Sequence, residues 1–305
     1  MGANAQQTYP TRPLRLIIPA SAGGGVDTVA RLLGAQLATA LGQAVVMDNR
    51  AGAGTMLASE ITAKSPPDGY TLLMVTNSHA INAGLHKNLR YDPVEDFSAI
   101  SFVTTLPYVL VVHPSVPARS ARELITLARR HPGKLYFSSA GAGSGTHLAF
   151  ELFIALSKID VVHVPYKSGS SALVDLAGGH VQLMVSNIIN CMPYVKNKRL
   201  VALGISTAKP SPLYPSLPTV ASSGLPGYEA DVWYGVLAPA RVPPDIVARL
   251  NREINAILRN SDVREKLAAQ GADAPGSSPE EFAALLNREI QKWARSTLSL
   301  KLQTQ

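Results

Sequence analysis

The sequence predicts an α/β protein of two lobes, and three observations carry that expectation. Short apolar runs alternate with helix-periodic segments along the chain, the order that builds parallel sheets flanked by helices. Two glycine-rich loops, Pro19-Ala-Ser-Ala-Gly-Gly-Gly-Val-Asp27 and Ser138-Ser-Ala-Gly-Ala-Gly-Ser-Gly-Thr146, each follow an apolar run and open into a helical pattern. At 305 residues the chain exceeds the usual size of one hydrophobic core, which favours two lobes with a ligand held between them.

The first lobe opens with a buried strand over 14–18, after which Val26, Val29, Ala30, Leu33, Leu37 and Leu41 recur at helical spacing. A strand restarts over 45–47, residues 49–54 form a further glycine-containing loop, and 55–64 are helical. The turn Pro66-Pro-Asp-Gly69 then leads into a strand over 70–75. A second series starts with a strand over 108–112 and continues with Ser120-Ala-Arg-Glu123, a capping-box pattern that begins a helix running to residue 130. A strand over 135–137, the second glycine loop, a helix to 156, and strands over 161–164, 181–185 and 200–205 give this lobe its own sheet. Beyond a Pro/Ser-rich stretch between Pro210 and Pro226, the apolar run 232–238 reads as a returning strand. Pro243-Pro-Asp245 opens a helix carrying Ile246, Leu250, Ile254 and Leu258. Ser278-Pro-Glu-Glu281 places an N-cap, an N1 proline and an N3 glutamate ahead of Phe282, Leu285, Leu286, Ile290 and Trp293. Lacking strands of their own, these helices are expected to pack back on the first lobe.

The net charge of +7 comes from Lys and Arg scattered along the chain, with no aromatic-interleaved basic run. A weak field that attracts small anions fits this better than nucleic acid, so no nucleic-acid partner is expected. Cys191 is the single cysteine; it excludes an intrachain disulfide and reads as a buried structural thiol. No apolar run approaches the roughly 18 residues of a membrane span. The stretch from Met1 to Thr11 lacks the basic and apolar regions of a signal peptide and reads as a mature N-terminus behind an added Met-Gly pair.

The glycine loops suit an anion, because residues without side chains let a ligand approach backbone N–H groups and a helix N-terminus adds about half a positive charge. Neither loop is a nucleotide motif. Both Gly23-Gly-Gly-Val-Asp-Thr28 and Gly141-Ala-Gly-Ser-Gly-Thr146 end in threonine where a dinucleotide fingerprint has glycine or alanine, and neither continues as Gly-Lys-Ser/Thr. Ser144 is flanked by Ala142 and Thr146 rather than by the glycines of a nucleophile elbow, although His147 and His163 are candidate bases for a degenerate one. The seven histidines show no metal-ligand spacing, so no metal is expected. Asp27 reads first as a carboxylate paired with the loop N–H groups and the helix dipole, and second as a ligand contact. Thr76-Asn-Ser-His79 and Tyr166-Lys-Ser-Gly-Ser-Ser171 are polar loops at strand ends, where ligands of parallel sheets collect, while Lys167 reads as a solvated loop cation. Hydrogen bonds to a charged group contribute about 1.5–3 kcal/mol each and micromolar binding needs about 8 kcal/mol, so roughly four to six loop donors suffice without an arginine clamp.

A longer string of ordered motifs carries a family resemblance. Residues 17–31, Val46-Met-Asp-Asn-Arg-Ala-Gly-Ala-Gly54, Pro67-Asp-Gly-Tyr-Thr-Leu72, Tyr91-Asp-Pro-Val-Glu-Asp-Phe97, residues 138–148, His163-Val-Pro-Tyr-Lys167 and residues 217–226 closely resemble the Bug (TctC-like) extracytoplasmic solute receptors of tripartite tricarboxylate transporters. The resemblance runs almost end to end. It implies a type II periplasmic-binding-protein fold, two α/β lobes joined by crossing strands, with residues 1–104 plus 229–305 in one lobe and 105–228 in the other. It implies a small organic carboxylate gripped by the loops at 19–27 and 138–147, often with bridging waters, and no catalysis, metal or cofactor. The expected partners are the membrane subunits of a transporter or, in some relatives, a signalling protein; the expected location is the periplasm, with the signal peptide removed, and the expected state a monomer.

On this reading Ala20, Ser21, Ala22, Gly23, Gly24, Gly25 and Asp27 hold the ligand together with Gly141, Ala142, Gly143, Ser144, Gly145 and Thr146. Thr76, Asn77, Ser139, Tyr166 and Ser186 shape the cleft. Three positions depart from the family's usual residues: Ala20 replaces an aromatic, Ser186 an aspartate and Ser168 a glycine. Loss of the carboxylate at 186 points to a plain mono- or dicarboxylate rather than an amino acid, and Ala20 leaves room for an aromatic one. The alternatives are a hydrolase on the same scaffold using Ser144, which the missing elbow glycines disfavour, and the effector-binding half of a regulator, for which no helix-turn-helix precedes Leu14.

Overall fold

In a computed structural model of the chain, residues 9–86 and 88–300 are described, with side chains described through 294. The segment 1–8, which holds most of the expected mature N-terminus, lies outside them. Strands β1 (Leu14–Ile18), β2 (Val45–Asn49) and β3 (Thr71–Thr76) are parallel neighbours in the first lobe. Strand β4 (Phe97–Val112) is the long one, and β5 (Tyr136–Ser139), β6 (Val162–Pro165) and β7 (Leu183–Asn187) form the parallel part of the second lobe. β8 (Val201–Ile205) pairs with β4, and β9 (Asp231–Pro239) returns antiparallel between β3 and β4. The order β2-β1-β3-β9-β4-β7-β5-β6, with β8 branching from β4, makes one continuous nine-stranded sheet through both lobes.

β4 explains the continuity. Its residues 97–107 pair with β9, and its residues 108–112 pair with β7 and β8. Only the second half was expected as a strand. In the first half the register with β9 shifts between Ala99 and Ser101 and again between Phe102 and Thr104, which breaks the period-two pattern that marks a strand in sequence. Two buried hydroxyls in this stretch are paired: Ser101 Oγ donates to the Phe102 carbonyl at 2.9 Å, and Thr104 Oγ1 donates to the Asp273 carbonyl. The expected lobe boundary at 104/105 falls inside this unbroken strand.

Helices α1 (Gly25–Leu41), α2 (Met56–Ala63) and α3 (Asn77–Leu85) belong to the first lobe; α4 (Ala121–Arg130), α5 (Gly145–Ser157), α6 (Gly169–Ala177) and α7 (Ile188–Lys196) belong to the second. α1, α3, α5, α6 and α7 each start where a parallel strand ends, so their N-termini collect at one edge of the sheet. Thr76-Asn-Ser-His79 is not a loop: Thr76 caps α3 through its hydroxyl, which accepts the Ser78 N–H, and the helix begins at once. Its opening residues are weak helix formers, and burial on both sides holds them in place.

Helices α8 (Pro244–Arg259), α9 (Ser261–Ala268) and α10 (Pro279–Leu300) close the fold. α8 packs on α1 and β4, and α10 packs along α3, as expected of helices without strands; α10 also reaches α5 across the rear of the crossing strands. The Ser278 cap is reciprocal, with the Glu281 N–H donating to Ser278 Oγ and the Ser278 N–H to Glu281 Oε2. α3 and α10 approach closely at Gly84, where an added Cβ would stand 2.7 Å from the Ala294 nitrogen.

Two measurements check this packing. Gly84→Val should force α10 away from α3 and cost roughly 1–3 kcal/mol in urea unfolding with little change in slope. The second concerns His79, which is fully buried between Ser59 Oγ at 3.0 Å and the Pro93 carbonyl at 2.9 Å. Burial pushes its pKa from 6.5 down to about 4, against the smaller opposing effect of the Pro93 carbonyl. The unfolded chain therefore binds this proton before the folded one does, and stability should be full above pH 6.5 and decline as pH falls toward about 4. Melting curves between pH 7.5 and 4 that stay flat would contradict it.

Candidate functional site

The cleft between the lobes lies over the carboxyl ends of the parallel strands and has a volume of about 80 Å³. The first lobe contributes Pro19, Ala20, Gly24, Gly25 and Val26 from the β1–α1 loop, with Thr55, Thr76, Asn77 and Ser78. The second contributes Ala140, Ser144, Gly145, Thr146, residues 167–170, Asn187 and Asn190. Tyr108, Val232 and Tyr234 from the crossing strands make the floor. Lys167 is the sole charged side chain among the described lining residues, which include no carboxylate. Lys167, read from sequence as a solvated loop cation, is exposed and also borders the cleft.

Five helix N-termini converge here, and four of them are capped by the protein itself. Thr76 caps α3, Ser144 accepts the His147 N–H on α5, Ser168 accepts the Ser171 N–H on α6, and Asn187 Oδ1 accepts the Asn190 N–H on α7. α1 is preceded by Gly24, which has no side chain to cap with. Among the described residues, the Gly25 and Val26 N–H groups have no acceptor. Such groups at a helix start call for an anion or water.

Asp27 does not accept these N–H groups, although it lies in the first turn and is 2% exposed. Its Oδ2 accepts the Gly23 N–H and Arg31 Nε, each at 2.8 Å, and its Oδ1 accepts Asn49 Nδ2 at 2.9 Å. Burial opposes ionisation, but the hydrogen bonds from Arg31, Asn49 and Gly23 outweigh it and hold the carboxyl below its ordinary range. Asn49 Nδ2 also donates to the Ala20 carbonyl at 2.9 Å, so Asp27 and Asn49 together fix the loop that presents Gly25. Structural use of Asp27 is the reading this geometry supports.

The second glycine loop differs from expectation, because its amides are largely taken. The N–H groups of Gly141, Gly143, Ser144 and Gly145 donate to Ser139 Oγ, His147 Nδ1, the Gly141 carbonyl and Ser78 Oγ, at 3.0–3.2 Å. Its glycines instead permit contact between lobes: a Cβ on Gly143 would stand 2.7 Å from Asn82 Oδ1, and one on Gly54 would stand 2.6 Å from the Ala142 carbonyl. Ser144 and Gly145 still line the cleft, Thr146 with them, but Gly141, Ala142 and Gly143 do not. Ser144 also lacks a base, since His147 Nδ1 accepts the Gly143 N–H rather than the serine proton. Nothing supports the hydrolase alternative.

Of the other expected residues, Ala20, Gly24, Gly25, Thr76 and Asn77 line the cleft, whereas Ser21, Ala22 and Gly23 do not. Tyr166 turns its hydroxyl to Asp175 at 2.7 Å, and Ser139 is buried against His163 Nε2 at 2.7 Å. Ser186 is fully buried on β7 opposite Val109, and its neighbour Asn187 faces the cleft instead. Sequence reasoning missed Asn187, Tyr108, Tyr234 and Thr55. Asn187 Nδ2 donates to Tyr234 OH at 3.1 Å, and Asn77 Nδ2 donates to Tyr108 OH at 3.3 Å. Each asparagine thus reaches a tyrosine of the opposite lobe, and beside each a glycine is obligatory: added Cβ atoms at Gly25 and Gly145 would stand 2.7 Å from Asn187 Oδ1 and Asn77 Oδ1. Thr55 carries φ +85, and its hydroxyl is buried without a partner among the described residues.

Residues 29–301 match the tripartite tricarboxylate transporter family receptor. Protein BugT of Bordetella pertussis is 38% identical over 289 residues, spanning 94% of this chain and 89% of that one. The solved structure of R. palustris Rpa4515 with adipate is 35% identical, superposes with a TM-score of 0.93, and covers 96% of this chain and 98% of its own. MatC (Rpa3494) from Rhodopseudomonas palustris with bound malate is 33% identical with a TM-score of 0.89, covering 94% and 99%.

Gly25→Ala should displace Asn187 from Tyr234 and destabilise the joined lobes by roughly 1–3 kcal/mol. Unchanged chemical unfolding together with an intact cleft in a crystal of the variant would refute this close approach.

Proposed function

The chain belongs to the tripartite tricarboxylate transporter receptor family, a family of extracytoplasmic solute receptors with a two-lobe periplasmic-binding-protein fold, and we propose that it captures a small organic mono- or dicarboxylate between its lobes. The observation that carries this reading is the uncapped start of α1, whose Gly25 and Val26 N–H groups face a cleft bordered by Lys167 and by no carboxylate. One carboxylate of the ligand takes those N–H groups, and Lys167 balances the charge from the opposite lobe. The relatives solved with adipate and malate support a carboxylate as the ligand.

Discrimination against amino acids rests on the whole lining, not on Ser186, because an ammonium group finds no counter-charge in the cleft. Ala20 on the cleft wall leaves room for an aromatic acid beside the aliphatic ones. We place the moving units at residues 1–104 plus 229–305 and 105–228, which turn about β4 and β9, and the ligand stabilises the closed state by as much as it binds that state better. The protein acts without catalysis or cofactor, as a monomer in the periplasm that hands its ligand to transporter membrane subunits.

A thermal-shift and calorimetric screen of malate, adipate, amino acids and nucleotides tests this. A ligand at about a hundred times its dissociation constant should add about 2.7 kcal/mol of stability. Lys167→Ala should weaken binding roughly tenfold, and less so at high salt. The reading fails if no carboxylate stabilises the chain, or if amino acids bind as tightly as their carboxylate analogues.

A further inference from the structure

The direction of each hydrogen bond at the cleft floor follows from partners that can only donate. The Asn190 N–H is such a partner, so the atom of Asn187 that it meets at 2.9 Å is the acceptor Oδ1. Asn187 Nδ2 therefore faces Tyr234 and donates to its hydroxyl oxygen at 3.1 Å. With that oxygen accepting from Asn187, the Tyr234 proton points elsewhere, and no atom of the described residues accepts it. Tyr234 is 2% exposed; burial, followed by the nearby Tyr108 hydroxyl, pushes its pKa up, so the proton stays on the oxygen. A buried donor without an acceptor is costly, and most such groups in proteins have partners.

An acceptor for this proton belongs in the cleft between the lobes. Tyr234 borders that cleft and not the cavity of about 740 Å³ on the other face of the sheet. Tyr108, which makes the matching contact with Asn77, borders both. The Asn187 amide that donates to Tyr234 also lies against the start of α1, where a Cβ added to Gly25 would stand 2.8 Å from Asn187 Nδ2. The Tyr234 hydroxyl and the Gly25 and Val26 N–H groups are thus gathered around one amide in one corner of the cleft. All three are donors without an acceptor among the described residues.

We propose, resting on the carboxylate reading given above, that Tyr234 is a ligand-binding residue whose hydroxyl donates to the same carboxylate that takes the Gly25 and Val26 N–H groups. The two oxygens of a carboxylate offer about four acceptor sites, enough for all three donors. The phenol also links binding to closure. On the division into moving units given above, Gly25 and Tyr234 belong to one unit and Asn187 to the other, so Asn187 reaches the hydroxyl when the lobes come together. Hydrogen bonds in a chain polarise one another, so Asn187 and the carboxylate each strengthen the other's hold on Tyr234.

Tyr234→Phe keeps the ring and removes the hydroxyl. In calorimetry of the full chain with malate and with adipate, this variant, its fold checked by its melting curve, should bind about tenfold more weakly or worse. A phenol that donates to a carboxylate absorbs at longer wavelength. Saturating the unaltered chain should therefore red-shift a tyrosine band in the near-ultraviolet difference spectrum, and Tyr234→Phe should lose that band. A hydroxyl serving only as a strut between the lobes would lower the melting temperature of the ligand-free variant without giving the band. The assignment alone is overturned if Tyr234→Phe binds the acids as tightly as the unaltered chain, if saturation with a bound acid gives no tyrosine band, or if the band survives in the variant. Failure of both acids to bind the unaltered chain would remove the carboxylate reading and this assignment with it.

Discussion

The antiparallel ladder between β4 and β9 is the constraint on which the molecule depends. Here each lobe's sheet is anchored to the other through main-chain hydrogen bonds. The C-terminal half of β4 then carries β7 and β8, which carry the rest of the second lobe. Because side chains alternate along β9, Val232 and Tyr234 of this ladder line the cleft, whereas Asp231 and Trp233 face the other side of the sheet. The pairing of β4 passes from β9 to β7 between Pro107 and Tyr108.

Electrostatics at the cleft follows from which helix ends the protein leaves uncapped. Five N-termini meet there, yet a threonine, two serines and an asparagine cap four of them locally. The fifth, at α1, follows a glycine, and the nearest carboxylate is held by Arg31, Asn49 and Gly23. The paired contacts Asn77–Tyr108 and Asn187–Tyr234 set how closely the lobes approach around that helix start.

Much of the architecture was legible in the sequence because it is encoded locally. The run at 14–18, the periodic apolar positions from Val26 to Leu41, and the Ser278–Glu281 box each report on neighbours within one or two turns, and each element forms where expected. Ser120 and Glu123 show how even a local signal can be spent differently. Ser120 Oγ accepts the Glu123 N–H, but the Glu123 carboxylate takes the Arg119 N–H at 2.7 Å instead of returning to Ser120. The first half of β4 was illegible because register shifts against a distant strand erased its periodicity.

The sequence by itself determined the strand–loop–helix units, the two glycine loops and the absence of any nucleotide or metal motif, since all of these depend on residue types at short spacing. Only the tertiary structure decided which loop keeps its amides free. The Gly145 N–H is taken by Ser78, sixty-seven positions away, and the Gly25 N–H is left open because Asp27 is drawn to Asn49. It likewise decided that Asn187 and not Ser186 faces the cleft, since a one-residue step along a strand reverses the face and the register comes from pairing with β4. The capacity of a backbone amide to bind a ligand is whatever the rest of the fold has not already used, and partners brought together by the two-lobe topology settle that remainder.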